Sequence, residues 1–67
     1  MRGEWEAALA ALGGAERLSP DNPEVQARLG EVHLARGDAA EARRRFRRAL
    51  GLHPQNERAR AGMAALR

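Results

Sequence analysis

The stretch Pro23–Asn56, PEVQARLGEVHLARGDAAEARRRFRRALGLHPQN, decides the fold. It holds two segments of helical periodicity joined by Gly37-Asp38. Before the first segment, Asn22 is a suitable N-cap. Pro23 suits the first helical position, where its missing N–H is not needed, and Glu24 favours the positive end of the helix dipole. Val25, Leu29, Val32 and Ala35 or Arg36 then recur helically, which predicts a helix from about Pro23 to Arg36, with Gly37 as its stop. In the second segment, Asp38 followed three residues later by Glu41 resembles a capping box. Ala42, Phe46, Ala49 and Leu50 form its inward stripe, and Gly51 and Pro54 are expected to end it near Leu50.

Outside this stretch the same grammar continues. Upstream, Trp5, Ala8, Leu9, Leu12 and Ala15 make an apolar stripe on a helix expected from about Glu4 to Leu18. Gly13-Gly14 weakens it, since each glycine costs ~1 kcal/mol relative to alanine in a helix interior. Ala15 and Leu18 extend the stripe, so the helix is expected to pass through. Downstream, Asn56 is another N-cap, and Ala59, Met63 and Leu66 give the face of a fourth helix. Short links between helices imply antiparallel neighbours. Composition agrees: alanine and leucine supply 23 of 29 apolar residues, and Val25 and Val32 are the only β-branched ones, so sheet is nearly excluded.

The chain repeats itself at a period of 34 residues. Gly3 meets Gly37, Ala8 meets Ala42, Leu12 meets Phe46 and Ala15 meets Ala49; Pro20, Asn22, Ala27 and Leu29 meet Pro54, Asn56, Ala61 and Met63. Small residues meet small ones, and turn residues meet turn residues. The stretch from Pro23 resembles a tetratricopeptide repeat: Leu29, Gly30, His33, Ala42, Phe46, Ala49 and Pro54 follow that family's pattern in order and spacing. Gln26 departs from it where the family often has Trp, and His33 where it usually has Tyr. The resemblance implies an all-α superhelix of antiparallel helix-turn-helix units. Residues 3–22 read as the second helix of a preceding repeat, 23–56 as a complete repeat and 57–67 as the first helix of a following one. Gly30 and Ala42 are expected to let the hairpin's helices approach around Phe46, with Ala49 admitting the next helix. Repeat units stack to bury a core, and three or more are usually needed. Half, one, half leaves open flanks, as in a piece of a longer array or a domain that pairs with another copy.

The resemblance also implies function: a protein–protein interaction module whose first helices line a groove for a peptide or partner helix. Its groove-facing candidates are Glu24, Ala27, Glu31, Leu34, Ala35, Arg58 and Ala61. Some family members grip a peptide's C-terminal carboxylate with Lys, Asn and Arg. Here Ala27 and Glu31 stand at the Lys and Asn places, so that grip is expected to be absent. Two alternatives stay open: a self-associating homo-oligomerisation domain, and a basic helical module that binds nucleic acid.

All 12 basic residues are arginine, and the net charge is +3. Residues 1–36 carry four arginines against six acids, whereas 37–52 carry five against two. The run Arg43-Arg44-Arg45-Phe46-Arg47-Arg48 is a candidate phosphate-neutralising patch. It has no outward aromatic to stack a base, and arginines flanking Phe46 ordinarily lay their stems over the core and pair locally, as Glu41 with Arg45 would. Nucleic acid is therefore not the expected partner. Cysteine is absent, and the two histidines lie 20 residues apart, so no metal or cofactor is expected. Ser19, the only serine, lies in a turn beside Pro20, and no nucleophile–base arrangement is visible, which argues against an enzyme. The run Ala7–Leu12 is too short to span a membrane and follows Glu4 and Glu6, a poor start for a signal peptide; a cytoplasmic location is expected.

Overall fold

A computed structural model describes residues 2–66, which form four α-helices: α1 (Arg2–Leu18), α2 (Pro23–Ala35), α3 (Ala39–Leu52) and α4 (Glu57–Ala65). Arg67, the last residue of the expected fourth helix, lies outside the described residues. The caps explain the boundaries. Asn22 Oδ1 accepts from the Glu24 backbone N–H at 2.9 Å, and Asn56 Oδ1 from that of Ala59 at 2.8 Å. Between α2 and α3, Gly37 has φ of +89°, the one positive φ among the described residues. Its N–H donates to the Leu34 carbonyl at 3.1 Å and that of Asp38 to the His33 carbonyl at 2.8 Å, a Schellman closure that needs a left-handed residue.

That closure alters the expected capping box. Asp38 Oδ1 accepts from the Glu41 N–H at 3.2 Å, but the Asp38 N–H is already taken by His33. The Glu41 carboxylate turns to Arg44 and Arg45 instead. α3 also runs two residues beyond Leu50, through Gly51 to Leu52. Gly51 has no conformational reason to stop it, and the chain leaves the helix at His53, extended as a residue before proline prefers. α1 passes through Gly13-Gly14 as expected, but Leu18 is 88% exposed and does not extend the stripe.

The Cα atoms span 31 × 29 × 16 Å, room for two helix layers at the usual ~8–10 Å spacing and little more. α2 and α3 form the closest-packed pair; α4 packs on both, while the α1 backbone approaches α2 alone. Because α2 and α4 touch and the α1 and α3 backbones do not, α2 and α4 make the inner, concave layer.

The core is Ala27, Ala42, Phe46, Ala49 and Ala59, all fully buried, with Leu34, Leu50, Met63 and Leu66 packed against it. Leu29 is buried too. Phe46 lies at the centre, where two glycines make space for its ring. A Cβ added at Gly30 would lie 2.6 Å from Phe46 Cε1, and one added at Gly62 closer still. The close approach expected at Gly30 is therefore real, and Gly62 adds a second one from α4. On α2 the buried face is Gln26, Ala27, Leu29 and Gly30, whereas the expected Val25 and Val32 are half-buried. The reason is tertiary: α2 alone is covered by three neighbours, so its buried arc is wide and centred off the valines.

Candidate functional site

Three groove candidates meet across the concave layer. Arg58, in the first turn of α4, reaches α2 and donates from Nη1 to Glu31 Oε1 at 2.9 Å and Oε2 at 3.1 Å. Its Nε lies 3.5 Å from Glu24 Oε1. Glu24 and Glu31 sit two turns apart on one face of α2, so one guanidinium spans both. The hydrogen bond that Arg58 donates to Glu31, and then the Glu31 charge, hold the Arg58 pKa above its ordinary value, with a smaller push from Glu24. Glu24 and Arg58 also border an open polar depression with His53, Gln55, Asn56 and Glu57.

The other candidates differ. Ala35 and Ala61 are exposed, and Leu34 is half-buried with its side chain against the core. Ala27 is a correction: it is fully buried among Ala42, Phe46, Ala49 and Ala59 and offers no groove surface. An alanine there belongs to the seam between α2 and its neighbours, which the helical period alone does not distinguish from the adjacent open face.

A second polar cluster was not foreseen in full. Gln26, fully buried, donates from Nε2 to Glu16 Oε2 at 2.8 Å and to the Pro20 carbonyl at 3.3 Å, and its Oε1 accepts from Arg45 Nη1 at 3.1 Å. Both amide hydrogens and the carbonyl oxygen of that side chain are engaged, in three of its four possible hydrogen bonds. Arg45 also pairs with Glu16 and, through Nε, with Glu41 Oε2 at 3.0 Å, the pairing expected from the i,i+4 spacing. The Gln26 hydrogen bond lowers the Glu16 pKa most; burial opposes it, and Arg45 and Arg48 lower it further. The sequence signal was present in Gln26 at the family's Trp place, but its partners come from α1 and α3.

The arginine run is largely engaged within the chain. Arg43 donates to the Leu66 carbonyl, Arg44 to Glu41, and Arg48 to the Pro20 carbonyl and Asp21. His33 is half-buried and its Nδ1 is sealed from solvent without a hydrogen-bond partner. Burial lowers its pKa; Glu41 and Asp38 oppose this, while Arg45 and Arg36 add to it. Among the described residues no group of three or more His, Cys, Asp or Glu could hold a metal ion, and no helix is long and apolar enough to cross a membrane.

A stack of αα-hairpins with a polar concave face defines a helical-repeat protein. The tetratricopeptide repeat family model matches residues 1–66, and the chain belongs to that family. The Hsp70-Hsp90 organizing protein of Triticum aestivum is 44% identical over 57 residues, covering 81% of this chain and 10% of that protein. The chain thus spans about a tenth of the length of this curated relative. No solved structure gives a significant match. The family is a non-catalytic protein-interaction fold, and a protein-interaction module is the general role it supports here.

Proposed function

We propose that this chain is a non-catalytic interaction module that takes a peptide or a partner helix on the face formed by α2 and α4. Residues 23–56 are the complete repeat in this reading, flanked by second-helix and first-helix halves at 3–22 and 57–67. The relative's name, an organizing protein for Hsp70 and Hsp90, supports a role in bringing proteins together.

The observation that carries the finer reading is the bridge from Arg58 to Glu31 and Glu24. Arg58, the cation among the groove candidates, is occupied by two carboxylates of the same chain, and the trio bears a net negative charge. A ligand's terminal carboxylate would have to displace Glu31 and then lie beside it. The partner is accordingly a neutral or basic segment, recognised along its length rather than by its C-terminus. The pairing of Arg44, Arg45 and Arg48 with carboxylates and carbonyls of the same chain supports a structural role for that surface over nucleic-acid binding.

Binding of a peptide panel, each member made with a free and an amidated C-terminus, tests this by fluorescence anisotropy. Amidated peptides should bind at least as tightly as their free-acid twins, and Glu31→Lys should shift preference towards the acids. A tenfold or greater preference of the unsubstituted chain for free carboxylates would overturn the reading, since tenfold corresponds to about 1.4 kcal/mol of recognition.

A further inference from the structure

The outer layer has a gap. The backbones of α1 and α3 do not approach each other, and Gln26 bridges their side chains from α2. Between them lies a depression of about 210 Å³ lined by Glu16, Arg44, Arg45 and Arg48. Three guanidiniums stand there against one carboxylate, so the lining carries a charge of +2. Their bonding is uneven. Arg45 is fixed by Glu16, Glu41 and Gln26, yet its Nη2 has no partner among the described residues. Arg44 is 79% exposed and makes one contact, from Nη1 to Glu41 at 3.4 Å. Arg48 uses Nη2 alone, 3.2 Å from the Pro20 carbonyl and 3.4 Å from Asp21, itself 81% exposed. Exposed ion pairs of this kind are weak and yield to a stronger acceptor.

We propose that this depression binds one phosphate monoester group, with Arg44, Arg45 and Arg48 as its donors. Such a group carries a charge of about −1.5 to −2 at neutral pH and three strong acceptor oxygens. The charge matches the lining, and the oxygens match three guanidiniums. A carboxylate brings two oxygens and a single charge to the same site. A nucleic-acid strand fits less well, because its diester phosphates carry one charge each and Glu16, Glu41 and Asp21 repel those on either side. Arg45 keeps its structural pairing, while Arg44 and Arg48 supply most of the unused donors. The site lies on α1 and α3, away from the face of α2 and α4, so the inference goes beyond the groove reading and does not depend on it.

Amide NMR of the full chain tests it, with ionic strength held by sodium chloride. The probes are inorganic phosphate, a glycine pentapeptide with a central phosphoserine, its unphosphorylated twin, and a single-stranded oligonucleotide. Inorganic phosphate and the phosphopeptide should give saturable shifts centred on Glu16, Arg44, Arg45 and Arg48 at roughly millimolar affinity, and the twin none. Tighter binding of the phosphopeptide assigns the group to a modified protein segment; tighter binding of inorganic phosphate assigns it to a small phosphate compound. Arg44→Gln should weaken binding about threefold, the scale of an exposed ion pair, and Arg44→Gln with Arg48→Gln about tenfold. Glu31→Lys, in the groove, should leave it unchanged. Circular dichroism shows whether each variant is folded, and the exposure of Arg44 lets its single variant decide the matter even if the double variant does not fold. Absence of saturation by about 20 mM phosphate would overturn the proposal. So would a folded Arg44→Gln chain with undiminished affinity, or an oligonucleotide that binds this site more tightly than the phosphopeptide.

Discussion

Where α4 meets the central hairpin, Phe46 lies between Gly30 and Gly62 and the buried centre of the contact is apolar. Where α1 meets it, Gln26, Glu16 and Arg45 form a hydrogen-bonded cluster instead. The two junctions are equivalent in the 34-residue repeat, yet the second has Leu12 at the place of Phe46 and Arg28 at the place of Gly62. The difference teaches that one repeat pattern can be closed by shape or by polar partners. A ring set against backbone depends on volume, whereas a buried amide depends on every partner being present.

The most damaging break is at the apolar junction. Phe46→Ala should cost ~3–5 kcal/mol. That equals about the whole stability of ~3–5 kcal/mol that one small core provides. The variant should show no cooperative transition in urea; a retained sigmoidal curve would mean that Phe46 is not the centre of the fold.

Gly62→Ala comes next. The new methyl would press on a buried ring, an overpacking cost of typically ~1–3 kcal/mol, offset in part by up to ~1 kcal/mol of better helix propensity. Gly13 supplies the contrast, since a Cβ there meets nothing within 4 Å. Gly13→Ala should raise the melting temperature while Gly62→Ala lowers it, and a shift of the same sign in both would refute the role given to the ring.

At the polar junction, Gln26→Leu should cost ~1–3 kcal/mol, because it leaves Glu16, Arg45 and the Pro20 carbonyl short of partners in a partly dry site. Hydrogen exchange should show α1 losing protection before α2, α3 and α4. Uniform loss across all four helices would mean that the cluster does not fasten α1 in particular.

The smallest effect is acid sensitivity. The folded pKa of His33 lies below its ordinary 6.5, so the unfolded chain takes up its proton first. Stability is complete above that pH, declines as pH falls through it, and flattens below the folded pKa. His33→Phe removes the orphaned nitrogen and should be neutral or stabilising by ~1 kcal/mol, with the slope between pH 7 and 5 abolished. Glu16 adds a separate acid loss: its folded pKa is lowered from 4.5, so its contribution is present above that value and disappears as pH falls through the folded pKa. Chemical denaturation at stepped pH measures both, and a slope unchanged in His33→Phe would sink the assignment.

Much of this was legible in the chain itself. Asn22, Pro23, Asn56, Gly37 and the 34-residue echo act over a few residues or by simple repetition, so they marked helices, stops and family without coordinates. The groove was legible in part. The family resemblance placed Glu24, Glu31 and Arg58 on the groove side, but did not join them into one bridge, and Ala27 could not be told from a groove alanine.

What the sequence determined alone is therefore the set of helices, their order and their pairing into hairpin repeats, because capping, turn geometry and apolar period are local. What only the tertiary structure decided is which faces meet: the wide buried arc of α2, the second glycine seat under Phe46, the satisfied amide of Gln26 and the neutralised Arg58. Each depends on side chains 10 or more residues apart arriving at one point, and that distance in the chain carries no short-range signal.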